Sequence, residues 1–350
     1  MTLIRADLDA LPAYAPGRVV PGAIKLASNE VALPPPAAVL AAITEAALGS
    51  NRYPDQGVAD LATRLGLQHG VDPARIVTGC GSVSICQQLI QATCFEPTDE
   101  VVFAWRSFEA YPIVTQIAGA TVVKVPLDAE FRHDLDAMAA AVTPNTRLVI
   151  LCSPNNPIGT ALSRTEVERF LTTVGPDVLV ALDEAYHEFL TDPDAVDGMD
   201  LLDAHPNLVV LRTFSKAWRL ASLRVGYAVA TPAVAEALRK VRTPFSVSTV
   251  AQAAAVAALD CAEELLATCV EVASERVRVR DALLEAGYTV PPTQANFVWL
   301  ALGDRTNAFS EHCLDHKVVV RPFHPEGARV TVSTPEENDA FIAAARSFAR

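Results

Sequence analysis

"LRTFSKAWRLASLRVGYAVA", residues 211–230, sets Lys216 at the end of one apolar run, with Thr213 and Ser215 beside it and Arg224 opening the next run. Both runs read as strands, and they complete a series: "RIVTG" (75–79), "DEVVFAW" (99–105), "ATVVKVP" (120–126), "TRLVILC" (146–152), "DVLVALDEAY" (177–186) and "NLVVLRTFS" (207–215). None alternates apolar with polar residues, the pattern of strands buried on both faces. Helical stretches at 82–94, 134–141 and 163–174 lie between most of them. This texture predicts an α/β fold, a mostly parallel sheet flanked by helices. Such sheets bind ligands at the carboxyl ends of their strands, and Lys216 stands at one. A lone Ser-Lys pair is ordinarily a solvated surface feature, so Lys216 has to be weighed with its neighbours.

The chain's 350 residues correspond to about two domains. After residue 240 the texture changes to Ala-rich helical sequence (249–286), then to short strands "ANFVWLAL", "VVVRPF" and "ARVTVST" and a last helix. The expected organisation is an N-terminal arm (1–30), a large domain built on the parallel sheet (31–240) and a smaller α/β domain (241–350). Pro12, Pro16 and Pro21 keep the arm from forming a continuous helix.

No run of about 18 apolar residues occurs, and the N-terminus lacks the basic and apolar parts of a secretion signal. A cytoplasmic location is expected, with no membrane contact. A formal charge of −13 argues against a nucleic-acid surface. The seven cysteines form no C-x-x-C pair, so reduced thiols are expected. His312, Cys313 and His316 share a helical spacing used by some metal sites, but no acidic partner accompanies them and no metal is expected.

Three further strand ends carry chemistry. "RIVTGCGSVSICQQL" (75–89) turns through Gly79 and Gly81 into a helix beginning at Ser82. Free N–H groups and the helix dipole then converge on one point, an anion site, although a glycine turn with a serine N-cap explains the same letters. "VILCSPNNPIG" (149–159) ends in Ser153, Asn155 and Asn156. "VLVALDEAYHEF" (178–189) ends in Asp183 and Glu184, where an unpaired carboxylate would be costly, with Tyr186 close behind.

Asn156, Asp183, Tyr186, Lys216 and Arg224, in this order on such a sheet, resemble the aspartate aminotransferase fold type of pyridoxal-phosphate enzymes. Within it the chain is similar to the histidinol-phosphate aminotransferase branch, and most to actinobacterial aromatic amino acid (phenylalanine) aminotransferases. The likeness runs from "IRADLDALPAYAPG" and "IKLASNE" through "NRYPD", "WRSFEAYP", "SPNNPIGT", "DEAYHEF" and "TFSKA" to "ANFVWL" and "ARVTVSTPEEND".

The resemblance implies pyridoxal 5'-phosphate as cofactor, covalently attached to Lys216, whose amine once released carries a proton at the substrate α-carbon. It implies Asp183 on the pyridine nitrogen, Tyr186 and Asn156 on the phenolic oxygen, and Phe108 against the ring. Ser82, Val83, Thr213, Ser215 and Arg224 hold the phosphate, joined by Tyr53 from a neighbouring subunit; the implied unit is a homodimer with shared active sites. Arg329 matches the arginine that grips the substrate carboxylate, while Tyr14, Asn29 and Arg321 are candidates for the pocket rim.

Relatives usually read "SKAYGLAGLR" where this chain has Trp218, Arg219 and Ser222, and threonine where it has Ile158. A glycine there would serve a backbone path that arginine or serine adopts only at a cost. The implied activity is transfer of an amino group between an aromatic amino acid and a 2-oxo acid. Histidinol phosphate is the rival substrate, and decarboxylases of phosphorylated amino acids share the cofactor residues. A cofactor-sensing regulator would need a DNA-binding module that the short arm cannot hold.

Overall fold

A computed structural model of the chain describes residues 5, 8, 9, 11 and 17–349. In chain order the strands are β1 (Ile24–Lys25), β2 (Ile76–Gly79), β3 (Glu100–Trp105), β4 (Thr121–Pro126), β5 (Thr146–Cys152), β6 (Leu179–Asp183), β7 (Leu208–Thr213), β8 (Gly226–Val229), β9 (Phe297–Ala301), β10 (Val318–Val319), β11 (Arg321–Phe323) and β12 (Gly327–Thr331). Seven form one sheet in the order β2-β8-β7-β6-β5-β3-β4, with β8 antiparallel to both neighbours and the rest parallel.

Because successive side chains point to opposite faces, the sheet separates two cores. Phe103, Ile150, Ala181 and Leu211 pack on one side with Ile85 and Leu89 of the helix Ser82–Thr93. Val102, Val149, Leu182 and Val210 pack on the other with Phe170 and Phe189. Burying each such large side chain stabilises by roughly 1.5–3 kcal/mol. The strand β4 departs from the expected two-sided burial: it is an edge strand with only Val125 fully buried.

Beyond residue 240 the helical stretch breaks at Cys261 into Thr249–Asp260 and Ala262–Glu285. "VVVRPF" also divides. Its first part, β10, pairs in parallel with β1, and its second, β11, joins the antiparallel sheet β11-β12-β9. Residues 24 and 25 are thereby fastened to the last third of the chain. All seven cysteines are free thiols. His312 and His316 stack on each other while Cys313 turns into the core, so the three do not converge.

Candidate active site

The carboxyl ends of β5, β6 and β7 open on a cavity of about 640 Å³, closed on its far side by β11 and β12. Register decides what enters it. Asp183 is in phase with Ala181, and Thr213 with Leu211, so both emerge on the face that carries the helix Ser82–Thr93.

Lys216 follows β7 and donates from Nζ to the Ser28 carbonyl at 3.0 Å, with the nitrogen 5.9 Å from the Tyr186 ring. Burial pulls its ammonium down to about 7, and the positive charges of Arg329 and Arg224 add to the effect. Near neutral pH a large share of Lys216 is therefore uncharged amine, able to attack carbon and take up a proton.

Asp183 is buried at this same wall. One carboxylate oxygen, Oδ2, accepts from the Tyr111 hydroxyl at 2.6 Å, while Oδ1 is buried with no hydrogen-bond partner among the described residues. Burial raises its pKa to about 6, and the Tyr111 hydroxyl partly opposes this. A buried acceptor left open calls for a donor from a ligand. Tyr111 was not anticipated; its signal, a buried tyrosine that must find a polar partner, does not say where that partner lies.

The helix Ser82–Thr93 begins after Gly81, which has φ +76°, and no side chain caps it. The serine N-cap reading is thereby set aside: Ser82 is the first helical residue and the leading N–H groups are left to a ligand. A Cβ on Gly81 would overlap the Arg224 guanidinium, so glycine lets this cation close on the helix end. Arg224 also donates to Ser215 Oγ at 3.1 Å, and the Ser215 N–H donates to Thr213 Oγ1 at 3.1 Å. Ser82, Val83, Thr213, Ser215 and Arg224 all border this part of the cavity. Hydroxyls, amides and a guanidinium around one spot suit a phosphate.

Across the cavity Arg329 donates to Asn156 Oδ1 at 2.6 Å and to the Ala27 carbonyl at 2.7 Å. Arg321 lines the cavity and pairs with Glu109 at 2.8 Å. Phe108 lines it too, its ring edge-on to Tyr111 at 5.5 Å. Tyr186 is buried, its phenol pushed up by burial, and accepts from Asn29 Nδ2 at 2.9 Å. Asn29 is held at the Tyr186 hydroxyl and is not among the residues that line the cavity. Tyr53 is 82 % exposed and stacks on Phe245 at 4.6 Å, away from this chain's own cavity. Tyr14 lies outside the described residues.

The unusual residues after the lysine are accommodated. Trp218 is buried against Phe214 and donates from its indole to Glu188 at 2.8 Å. Arg219 adopts φ +58°, the left-handed conformation that favours glycine. Its terminal nitrogens donate to the Pro34 carbonyl and to Thr268. Ser222 is exposed, and Ile158 is buried with Trp299 and Phe323.

The donor set fits pyridoxal phosphate: an open buried carboxylate oxygen, a depressed lysine and an uncapped helix end with a guanidinium share one cavity. The family model described as aminotransferase class I and II matches residues 21–344. An aromatic amino acid aminotransferase of Rhodococcus jostii is 57 % identical over 343 residues, covering 98 % of this chain and 95 % of that protein. One of Mycobacteroides abscessus is 54 % identical, covering 99 % of both. Among solved structures, the histidinol-phosphate aminotransferase of Sinorhizobium meliloti in complex with pyridoxal-5'-phosphate has a TM-score of 0.91 at 30 % identity, covering 100 % of this chain and 98 % of that one.

Proposed function

The chain belongs to the class I and II aminotransferases, and from that premise we propose that it moves the amino group of an aromatic amino acid, phenylalanine or tyrosine, to a 2-oxo acid such as 2-oxoglutarate. The cofactor is pyridoxal 5'-phosphate. The observation that carries the reading is the meeting of Lys216, the open oxygen of Asp183 and the uncapped helix end in one cavity.

Bound there, pyridoxal phosphate supplies a carbonyl that captures amines and a ring that accepts electrons from the substrate α-carbon. Asp183 Oδ1 would accept from the ring N–H. The backbone N–H groups of Ser82 and Val83, the hydroxyls of Thr213 and Ser215 and the Arg224 fork would receive the phosphate. Tyr186 and Asn156 would donate to the phenolic oxygen, and Phe108 would lie against the ring. Lys216 would hold the cofactor covalently, and its free amine would take up and return a proton at Nζ, a task suited to a pKa near working pH. Arg329 receives the substrate carboxylate.

We further assign the active unit to a homodimer in which Tyr53 reaches the partner's phosphate site. Its exposed ring, stacked on the half-exposed Phe245, supports this. The division into arm (1–30), cofactor domain (31–240) and small domain (241–350) is retained as the functional one. No helix among the described residues is long and apolar enough to cross a membrane, and we assign the enzyme to the cytoplasm.

Borohydride reduction of the cofactor-loaded protein should fix the cofactor on Lys216. Lys216→Ala should lose that linkage and turnover by more than about 10³-fold; a label on another lysine would refute the assignment. Phenylalanine in direct competition with histidinol phosphate, with 2-oxoglutarate as acceptor, tests the substrate: a preference for histidinol phosphate would reject the aromatic reading and leave the cofactor site intact.

A further inference from the structure

Arg321 and Arg329 are direct cross-strand partners in the antiparallel pair β11–β12, which puts both side chains on one face of the hairpin. Both line the cavity, and the Phe323 ring lies near both guanidinium groups, 5.5 Å from Arg321 and 5.7 Å from Arg329. Arg329 donates to Asn156 and to the Ala27 carbonyl, and Arg321 donates to the Glu109 carboxylate at 2.8 Å. Glu109 also lines the cavity, at the head of the helix Ala110–Ala118. The two ends of this ion pair are sheltered unequally: 13 % of the Arg321 side chain is exposed and 32 % of Glu109.

Amino transfer runs two half-reactions in one cavity. A carboxylate beside the reacting carbon is common to both substrates and is met by one arginine. The remainder of the molecule is an uncharged ring in one half-reaction and a second carboxylate in the other. The same space must therefore take a neutral group and an anion in turn, and a fixed cation without a counter-ion would suit only the anion.

Resting on the aromatic reading above, we propose that Glu109 is a specificity-determining residue: it neutralises Arg321 while an aromatic side chain is bound and cedes it to the distal carboxylate of an acidic 2-oxo acid. The exchange replaces one carboxylate on Arg321 by another, so the number of charge-assisted bonds is kept. The unequal exposure sets the direction of movement. Glu109 swings to water and recovers hydration, while Arg321 stays in the wall beside Phe323. Glu109 thereby narrows the gap in affinity between the two substrate classes, weakening the acidic one and sparing the aromatic one.

Two unreactive ligands separate these effects: 3-phenylpropionate, an aromatic monocarboxylate, and glutarate, a dicarboxylate, each titrated into the holoenzyme against cofactor absorbance. Glu109→Gln should tighten glutarate by about tenfold and weaken 3-phenylpropionate by about threefold. Arg321→Gln should weaken glutarate by about tenfold and leave 3-phenylpropionate within about threefold. Either variant moving both ligands by the same factor would overturn the inference. Wild-type enzyme that transfers no amino group from phenylalanine would instead overturn the aromatic reading on which it stands.

Discussion

Asp183 and Glu184 are consecutive buried carboxylates at the end of one strand, yet they serve opposite sides of the sheet. On the cavity side, Asp183 has one oxygen bonded to Tyr111 and the other left open. On the reverse side, Glu184 accepts from Arg212 Nε at 2.9 Å and from the Gly198 N–H at 2.7 Å, and Arg212 extends to Asp197 at 2.6 Å. Glu184, His187 and Asp197 have the spacing of metal ligands, but the Arg212 guanidinium already sits on both carboxylates. Burial, with the Arg212 charge adding to it, holds His69 down to about 4 and His187 below the ordinary range, which disfavours the charged form of both beside that guanidinium. There the two carboxylates are tied to one guanidinium. On the cavity side an unpaired carboxylate oxygen borders the space a ligand would fill, and the difference lies in that position rather than in burial or charge.

The contrast breaks most sharply at Glu184→Gln. Removing one partner of a buried ion pair leaves the other charge poorly compensated, and the expected loss is about 3–5 kcal/mol of folding stability. Denaturant unfolding of the cofactor-free protein measures it. A loss below about 1 kcal/mol would mean that this network is not the structural element described.

Asp183→Asn should act in the other direction. Without cofactor, the folded chain holds the Asp183 proton more tightly than the unfolded chain does, with a pKa of about 6 against the ordinary 3.8. Stability therefore falls as pH rises through this interval, and the full penalty is present above pH 6. The variant should be more stable than wild type by about 2–3 kcal/mol at pH 7, a gain that fades as pH falls toward 3.8. Added pyridoxal phosphate should reverse the order, because only wild type offers its ring N–H a carboxylate. A destabilised variant at pH 7 in the cofactor-free state would place Asp183 with the structural network.

These two residues also mark how far the sequence could be read. Lys216, Asp183, Asn156 and the Gly81–Ser82 turn were legible because strand, turn and helix start are local patterns, and each one ends at the same sheet edge. Their partners were not. Tyr111 meets Asp183 from 72 residues away, and Arg321 meets Glu109 from 212 residues away. Such pairs depend on register and tertiary closure, which a single chain of letters does not encode locally. The break at Cys261 escaped for a different reason: it interrupts an Ala-rich stretch with neither glycine nor proline to punctuate it.

Arg219 gives the smallest expected effect and the finest discrimination. It stands three residues after Lys216, yet it does not line the cavity, and its terminal nitrogens are bonded to Pro34 and Thr268. Bonded away from the cavity, it belongs with the structural side, so its loss should appear in stability and leave turnover within about twofold. Two substitutions divide its contributions. Arg219→Ala keeps a side chain at φ +58° and removes both bonds, and should cost about 1–2 kcal/mol. Arg219→Gly removes the same bonds but relieves the left-handed conformation; against the greater freedom of glycine in the unfolded chain, its net cost should be about 1 kcal/mol or less. The order Ala worse than Gly, read from unfolding midpoints, is the expected outcome. A fall in turnover exceeding about tenfold with stability unchanged would move Arg219 to the cavity side, and with it the backbone that carries Lys216.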